Sequence, residues 1–364
     1  MPRVQLPLHR PSASALELVD KNAAQIPEDR RWRWKHEMTA PVASGTAYPL
    51  PGRAIVELVN TCNLDCPMCR VGRHGVNLDR IMSVELFERI LAALKPSLRE
   101  VRLNGLGEAT LHPDFASFVR RIRAAGLVGE LITNLTCDDE TIRLLVDAEF
   151  TVLVSWDAAT PRLFETLRRP ASFAVTLASL RALGSAAAAA GRSDHLHLMM
   201  TLQRANFSEL AGVVELAAEA GVPHVVVNVI KLADESWIER HWNAIDGSIA
   251  RARETAAALG IRLFVPDHLG RHALGVGASP TPSTRGCDRP WNEIVIRYNG
   301  EIGVCNMFNP YVYGNVNRHG VEGAWRGPLA HAFRKLVNTP DRHPYCEGCY
   351  YLEDLYSQRQ GGRG

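Results

Sequence analysis

The chain has 364 residues, 46% of them hydrophobic, with 41 Lys and Arg against 39 Asp and Glu for a formal net charge of +2. That supplies a sizeable core and leaves no charge excess to attract nucleic acid or anionic lipid broadly. No stretch is long and apolar enough to span a bilayer, and Met1 to Pro11 lacks the unbroken apolar run of a secretory signal. Eight cysteines in such a chain point to metal or redox chemistry in a reducing, cytoplasmic setting rather than to a disulfide framework. Residues 1–53 are rich in proline and polar residues and contain Arg30-Arg31-Trp32-Arg33-Trp34-Lys35-His36. Interleaved basic and aromatic residues can stack on single-stranded nucleic acid. With the total charge balanced, the segment is expected instead to pack on the core as an N-terminal extension, with no separate peptide-recognition domain.

The first strand-like run, Ala54-Ile55-Val56-Glu57-Leu58-Val59, leads directly into Cys62-Asn63-Leu64-Asp65-Cys66-Pro67-Met68-Cys69. Thiolates gathered this tightly suit an iron–sulfur cluster or zinc, with a redox thiol set as a further alternative. A cubane takes four ligands, so three cysteines leave one iron open to a reactant. Ser83 caps a helix whose apolar face is Leu86, Phe87, Ile90, Leu91 and Leu94. Strands at 100–104, 130–134, 151–155, 195–203 and 224–230 then alternate with periodic helices, one of them carrying Phe115, Phe118, Val119 and Ile122. Another ends on the surface in the tract Ala186 to Ala190. Six strand–helix units make an α/β fold, a partial (β/α)6 barrel, with 261–265 a further strand stopped by Pro266. From Gly270 to Arg285 the chain is rich in Gly, Pro, Ser and Thr without periodicity. The expected division is therefore an extension at 1–53, a barrel at 54–270, a linker at 271–286 and a small C-terminal α+β unit at 287–364.

In a parallel barrel, reactive groups lie where the strands end. The second strand ends in Asn104-Gly105-Leu106-Gly107-Glu108-Ala109-Thr110, the third in Thr133-Asn134, the fourth in Ser155-Trp156-Asp157 and the fifth in Thr201-Leu202-Gln203. Ser, Thr, Asn and Asp at such positions also serve as plain helix caps. A second cysteine group, Cys287, Cys305, Cys346 and Cys349, includes a hairpin with Asn299-Gly300 at its turn and a late Cys346-Glu347-Gly348-Cys349. Four thiolates can saturate a structural zinc or all four irons of a cubane. Cys137 is left over, just beyond Asn134, where a lone thiol is either core filler or a hydrogen-atom donor.

This order of motifs, covering nearly everything from residue 54 onward, resembles the radical SAM enzymes with a C-terminal twitch or shortened SPASM domain. The resemblance implies that Cys62, Cys66 and Cys69 hold a [4Fe-4S] cluster whose fourth iron chelates S-adenosylmethionine, which is cleaved to a 5′-deoxyadenosyl radical. Asn104 to Thr110 is similar to the family's Gly-Gly-Glu-Pro segment, which would make Gly107 and Glu108 binders of the methionine ammonium. Leu106 and Ala109 depart from that pattern, and Met68 stands where an aromatic residue is common. Asn134 and Ser155 match positions that contact the carboxylate and ribose, and Thr201, Gln203 and Val229 would face the nucleoside. Cys287, Cys305, Cys346 and Cys349 would hold one auxiliary [4Fe-4S] cluster, too few cysteines for the two clusters of fuller SPASM domains. The family's chemistry also implies a flavodoxin or ferredoxin-type electron donor. The expected activity is dehydrogenation of a secondary alcohol on a sugar or aminocyclitol-like small molecule, with Asp157, Asp267 or His268 taking the proton. Epimerisation with Cys137 as hydrogen donor, peptide modification, and a non-catalytic iron–sulfur or zinc scaffold are the alternatives.

Overall fold

The structure, a computed structural model, describes residues 13–40, 42, 48–69, 79–229, 236–266, 286–305 and 310–346. Asp267, His268, Cys349 and nearly all of the linker lie outside them. Two N-terminal helices, α1 (Ala13–Ala23) and α2 (Glu28–Thr39), precede an alternating series. Its strands are β1 (Arg53–Val56), β2 (Glu100–Leu103), β3 (Val128–Thr133), β4 (Thr151–Ser155), β5 (Leu196–Leu202), β6 (His224–Val229) and β7 (Arg262–Phe264). The intervening helices are α3 (Val84–Leu94), α4 (Phe115–Ala124), α5 (Asp139–Asp147), α6 (Pro161–Leu167), α7 (Phe173–Ala189), α8 (Leu210–Glu219) and α9 (Ser236–Leu259). After the short α10 (Arg289–Asn292) come β8 (Glu293–Ile296), β9 (Glu301–Gly303) and β10 (Val312–Asn315), then α11 (Val316–His319), α12 (Val321–Arg326) and α13 (Pro328–Leu336).

The strands β1 to β7 pair in parallel and in sequence order, as expected of an α/β barrel segment. The helices take the faces their periodicity dictates: Leu86, Phe87, Ile90 and Leu94 of α3 are buried, and the Phe87 and Phe118 rings meet edge-on at 4.9 Å. Ser83 caps α3 by accepting a hydrogen bond from Leu86 N at 3.2 Å. Strand alternation sorts the side chains: Val152 and Val154 of β4 and Leu198 and Met200 of β5 are buried, while Leu153, Ser155, Met199 and Thr201 stay half-open. Charged residues join the half-open row in β2 and β3, where Arg102 meets its register partner Glu130 at 2.6 Å.

The C-terminal strands do not form a sheet of their own. β8 pairs in parallel with β1, from Arg53↔Glu293 to Val56↔Ile296, and β9 and β10 follow antiparallel, giving one sheet of ten strands among the described residues. The Asn299-Gly300 turn forms as expected, with Gly300 at φ +83 and its amide on Arg297 O. At the outer edge, the Asn22 side chain of α1 bonds both the N–H and the carbonyl of Val312, covering part of the free edge of β10. The basic aromatic segment divides. Trp34 is fully buried against Tyr311, Phe333 and His343 and donates Nε1–H to Asp341 O, whereas Trp32 is 70% exposed. The described helices α1 and α2 therefore pack on the C-terminal unit.

Candidate active site and auxiliary cysteine group

The loops after β1 to β4 converge at one end of the sheet. Gly107 lies directly against the backbone leading into the cysteine loop, where a Cβ would stand 2.3 Å from Val59 O and 2.4 Å from Thr61 O. Only glycine allows this approach, and Glu108 N then bonds Thr61 O at 2.9 Å. The Glu108 carboxylate turns towards β3, accepting from Thr133 Oγ1, Asn134 N and Thr110 Oγ1, each at 2.8 Å, and from Thr110 N at 3.3 Å. Burial raises its pKa above the usual carboxylate range, against the pull of these bonds. Glu108 is thus a strap between β2 and β3 beside the cysteine loop, with most of its acceptor capacity used by the chain itself.

Asn134 is likewise committed to the loop. Its Nδ2 donates to Asn63 Oδ1 at 2.9 Å and lies 3.7 Å from Cys62 Sγ, while its Oδ1 accepts from Thr136 N and Oγ1. Leu64 N also points at Cys62 Sγ, at 3.4 Å. Cys66 is buried, Cys62 half-buried and Cys69 exposed. Burial pushes the Cys66 thiol up to about 11, opposed by the nearby Arg168 guanidinium.

Arg168, which sequence reasoning missed, also changes the reading of Asp157. Asp157 was expected to accept a proton from substrate. It is fully buried, its Oδ2 2.6 Å from Arg168 Nη2 and its Oδ1 accepting from Thr201 N at 2.8 Å. A carboxylate walled in and paired to a guanidinium has no route to a substrate proton, so Asp157 is a structural anchor. Asn206 completes the anchor, donating to Asp157 O and Thr201 O. Ser155 and Thr201 do lie on the half-open row, and Asn228, the register partner of Thr201, joins them. Gln203 follows β5 and Val229 ends β6. Cys137 is half-buried next to the core, and burial pushes it up to about 12, with the Glu108 charge adding to the shift. It therefore remains a thiol at neutral pH.

Glu57 is a second missed residue. It is fully buried at the end of β1, its Oε1 accepting from Leu106 N and Asn60 Nδ2 at 2.8 Å and its Oε2 from Tyr298 N at 3.4 Å. One carboxylate thus ties the Gly107 loop to the turn between β8 and β9. Burial raises its pKa despite these bonds. The signal was present in the sequence, a lone acid inside an apolar strand run.

The other cysteine group lies towards the opposite end of these strands. Val295 of β8 faces Gly303 of β9, so Cys305 falls near the level of Glu293 and Arg53, where β1 begins; Cys62 follows where β1 has ended. Cys287 is fixed by Asn338, which accepts from its N–H and donates to its carbonyl. Cys287, Cys305 and Cys346 all bear electrostatically on the hydroxyl of Tyr313, whose pKa burial raises, with Arg334 opposing. Among the described residues no three His, Cys, Asp or Glu converge on a point for a single ion.

The sequence profile of the Radical SAM superfamily matches residues 56–241, and that of the SPASM iron–sulfur cluster-binding domain matches 287–350. The chain belongs to the radical SAM superfamily. A relative from Pyrococcus furiosus, the tungsten-containing aldehyde ferredoxin oxidoreductase cofactor-modifying protein, is 25% identical over 317 residues, covering 81% of this chain and 86% of its own. The antilisterial bacteriocin subtilosin biosynthesis protein AlbA of Bacillus subtilis is 22% identical, covering 88% of this chain and 72% of its own. The fold is also that of Streptococcus suis SuiB bound to S-adenosylmethionine, with a TM-score of 0.61 at 16% identity over 79% of this chain and 68% of that one. Native anSMEcpe with bound AdoMet gives a TM-score of 0.61 at 15% identity over 84% and 88%.

The cofactors that come with this radical SAM and SPASM architecture are S-adenosylmethionine, a [4Fe-4S] cluster and auxiliary iron–sulfur. The residues present fit them. Beside the first cysteine loop, the buried Thr61 Oγ1 and Arg168 Nε have no hydrogen-bond partner, two donors open to an anionic group. Among the described residues no helix is long and apolar enough to cross a membrane.

Proposed function

We propose that this radical SAM enzyme is an oxidoreductase that dehydrogenates a secondary alcohol on a sugar or aminocyclitol-like small molecule. The carrying observation is the placement of the two cysteine groups towards opposite ends of the paired strands β1 and β8. Along the strand direction alone the mouth beside Cys62 and the second group are at least about 13 Å apart, the length of β1, which suits an electron acceptor better than a substrate ligand. In this reading Cys62, Cys66 and Cys69 hold the cluster that binds S-adenosylmethionine, and Cys287, Cys305, Cys346 and Cys349 hold one auxiliary [4Fe-4S] cluster. When bound, the cofactors supply hydrogen-atom abstraction at the carbinol carbon and a one-electron acceptor. With those groups in place, the hydroxyl hydrogen would leave as a proton, the auxiliary cluster would take up the surplus electron, and the alcohol would become a ketone.

The chain's own residues prepare the site. Gly107 brings its loop against the cysteine loop and Glu108 locks it to β3, while Asp157 holds Arg168 by its Nη2 and leaves Arg168 Nε for the methionine carboxylate of S-adenosylmethionine. Ser155, Thr201 and Asn228 offer hydrogen bonds to ribose or substrate hydroxyls along the half-open row. Asn134 acts by positioning Asn63 in the cysteine loop. Asp267 is the proton acceptor of this reading, in place of Asp157, and a flavodoxin or ferredoxin-type protein supplies the initiating electron.

The test is anaerobic reconstitution and incubation with aminocyclitols and sugars deuterated at each carbinol carbon. One ketone and one deuterated 5′-deoxyadenosine per S-adenosylmethionine consumed is the expected result. Solvent deuterium entering an unoxidised product, and ceasing to do so in Cys137→Ala, would refute dehydrogenation in favour of epimerisation. A peptide substrate is the second reading, favoured by the likeness to AlbA, a bacteriocin biosynthesis protein. It predicts turnover with peptides and none across the alcohol panel.

A further inference from the structure

Near the second cysteine group, on the strand that pairs with the one leading into Cys305, lies a phenol that the fold leaves without a hydrogen-bond partner. Tyr313 sits on β10 with 3% exposure, and its hydroxyl makes no hydrogen bond. Buried tyrosine hydroxyls usually find a partner, and leaving one unmade is costly. Its neighbour Tyr311 obeys the rule, donating to Leu329 O at 2.9 Å. Behind the Tyr313 ring stands Arg334, also 3% exposed, its guanidinium carbon 4.2 Å from the Trp325 ring centre, 4.3 Å from that of Tyr48 and 5.9 Å from that of Tyr313. Arg334 Nε and Nη1 donate to Pro290 O and Trp325 O, Nη2 has no partner, and no carboxylate among the described residues pairs with the cation. Aromatic faces ease the burial of such a charge without neutralising it. An orphaned donor and an uncompensated buried cation, next to three thiols from three parts of the chain, call for an anion.

We propose that Tyr313 donates its hydroxyl hydrogen to a sulfur of the auxiliary cluster, with Arg334 behind the ring as countercharge, and that the two raise that cluster's reduction potential. The inference rests on the reading that Cys287, Cys305, Cys346 and Cys349 ligate that cluster. Hydrogen bonds to cluster sulfurs and nearby charge are among the terms that set an iron–sulfur potential. Reduction adds negative charge, so a donor and a cation both favour the reduced form. Tyr313 and Arg334 are positioning residues: they act through the cluster and touch no substrate.

The experiment is a potentiometric titration of the reconstituted full-length protein followed by electron paramagnetic resonance, with the Cys62→Ala, Cys66→Ala, Cys69→Ala protein identifying the auxiliary wave. At the parent's auxiliary midpoint, Tyr313→Phe is expected to lower the ratio of reduced to oxidised cluster at least threefold. Arg334→Met is expected to lower it at least tenfold, which is 59 mV for one electron, and Arg334→Lys to restore most of the loss. Iron content stays at the parental value throughout. In the metal-free chain Tyr313→Phe unfolds at the same temperature or higher, because it removes an orphaned hydroxyl, so a folding defect does not obscure the result. An unmoved auxiliary wave in Tyr313→Phe with iron retained overturns the proposal and leaves the ligand assignment standing. An auxiliary wave that survives Cys287→Ala with Cys305→Ala overturns the ligand assignment itself, and the proposal with it.

Discussion

Gly107→Ala is the sharpest perturbation of the proposed site. The added methyl would stand 2.3 Å from Val59 O, 2.4 Å from Thr61 O and 2.6 Å from Thr61 N, all backbone atoms that cannot rotate away. Restoring ordinary contact near 3.4 Å requires the two loops to part by about 1 Å, which also breaks the Glu108 N to Thr61 O bond of 2.9 Å. Overpacking of this kind costs about 1–3 kcal/mol and the lost hydrogen bond about 1 kcal/mol, so a destabilisation of about 2–4 kcal/mol is expected. Thr61 adjoins Cys62, so the displacement reaches the reacting geometry, where a 1 Å error can cost about 100-fold in rate. The assays are denaturant unfolding of the metal-free chain and 5′-deoxyadenosine formation by the reconstituted one. Gly52→Ala is the control, because its Cβ would find only Ser97 O at 3.8 Å. If Gly107→Ala matched Gly52→Ala in stability and turnover, the packing of these loops would not be what Gly107 provides.

Asp157→Ala leaves Arg168 buried beside the cysteine loop without its anion and is expected to cost about 3–5 kcal/mol in denaturant unfolding, well beyond an exposed carboxylate such as Glu17. Trp34→Ala removes a fully buried indole and should cost about 3–5 kcal/mol, whereas Trp32→Ala, at 70% exposure, should stay within about 0.5 kcal/mol, as thermal unfolding can check. Burial raises Glu57, Glu108 and Glu130 above 4.5, so the folded chain holds these protons more tightly than the unfolded one. Their contribution is fully present below pH 4.5 and is lost as pH rises through the raised values. Glu57→Gln should therefore flatten the fall in melting temperature as pH rises above 4.5, and an unchanged slope would count against its burial as the cause.

Much of the barrel could be read locally. Val152 and Val154 alternate with half-open neighbours, Phe115, Phe118, Val119 and Ile122 recur at helical spacing, and Asn299-Gly300 demands a turn; each signal spans a few residues. The pairing of β8 with β1 could not be read, because it joins segments 240 residues apart and parallel pairing requires no local turn. Asp157 misled for a related reason. A Ser-Trp-Asp at a strand end looks the same whether its acid faces substrate or a buried arginine, and Arg168 arrives only after the next helix. Glu108 was found by motif, yet its bonds to Thr110, Thr133 and Asn134 give it a strapping role that spacing does not specify.

The continuity of the sheet also bears on how the two cysteine groups can cooperate. Four register pairs join β1 to β8, Glu57 N bonds Ile296 O at 2.9 Å, and the Glu57 side chain reaches both Leu106 N and Tyr298 N. Swinging the C-terminal unit away would break these bonds together, a larger cost than parting two domains joined by a linker. The distance between the groups is therefore set by the sheet rather than by a hinge. A fixed spacing suits electron transfer, which needs no contact with substrate, and suits poorly a mechanism in which the second group must close over the reactant. Cutting the tie at Glu57 should accordingly slow delivery of the electron more than the preceding loss of hydrogen, which single-turnover measurement of 5′-deoxyadenosine against ketone would resolve. Equal slowing of both would mean that Glu57 serves only the Gly107 loop.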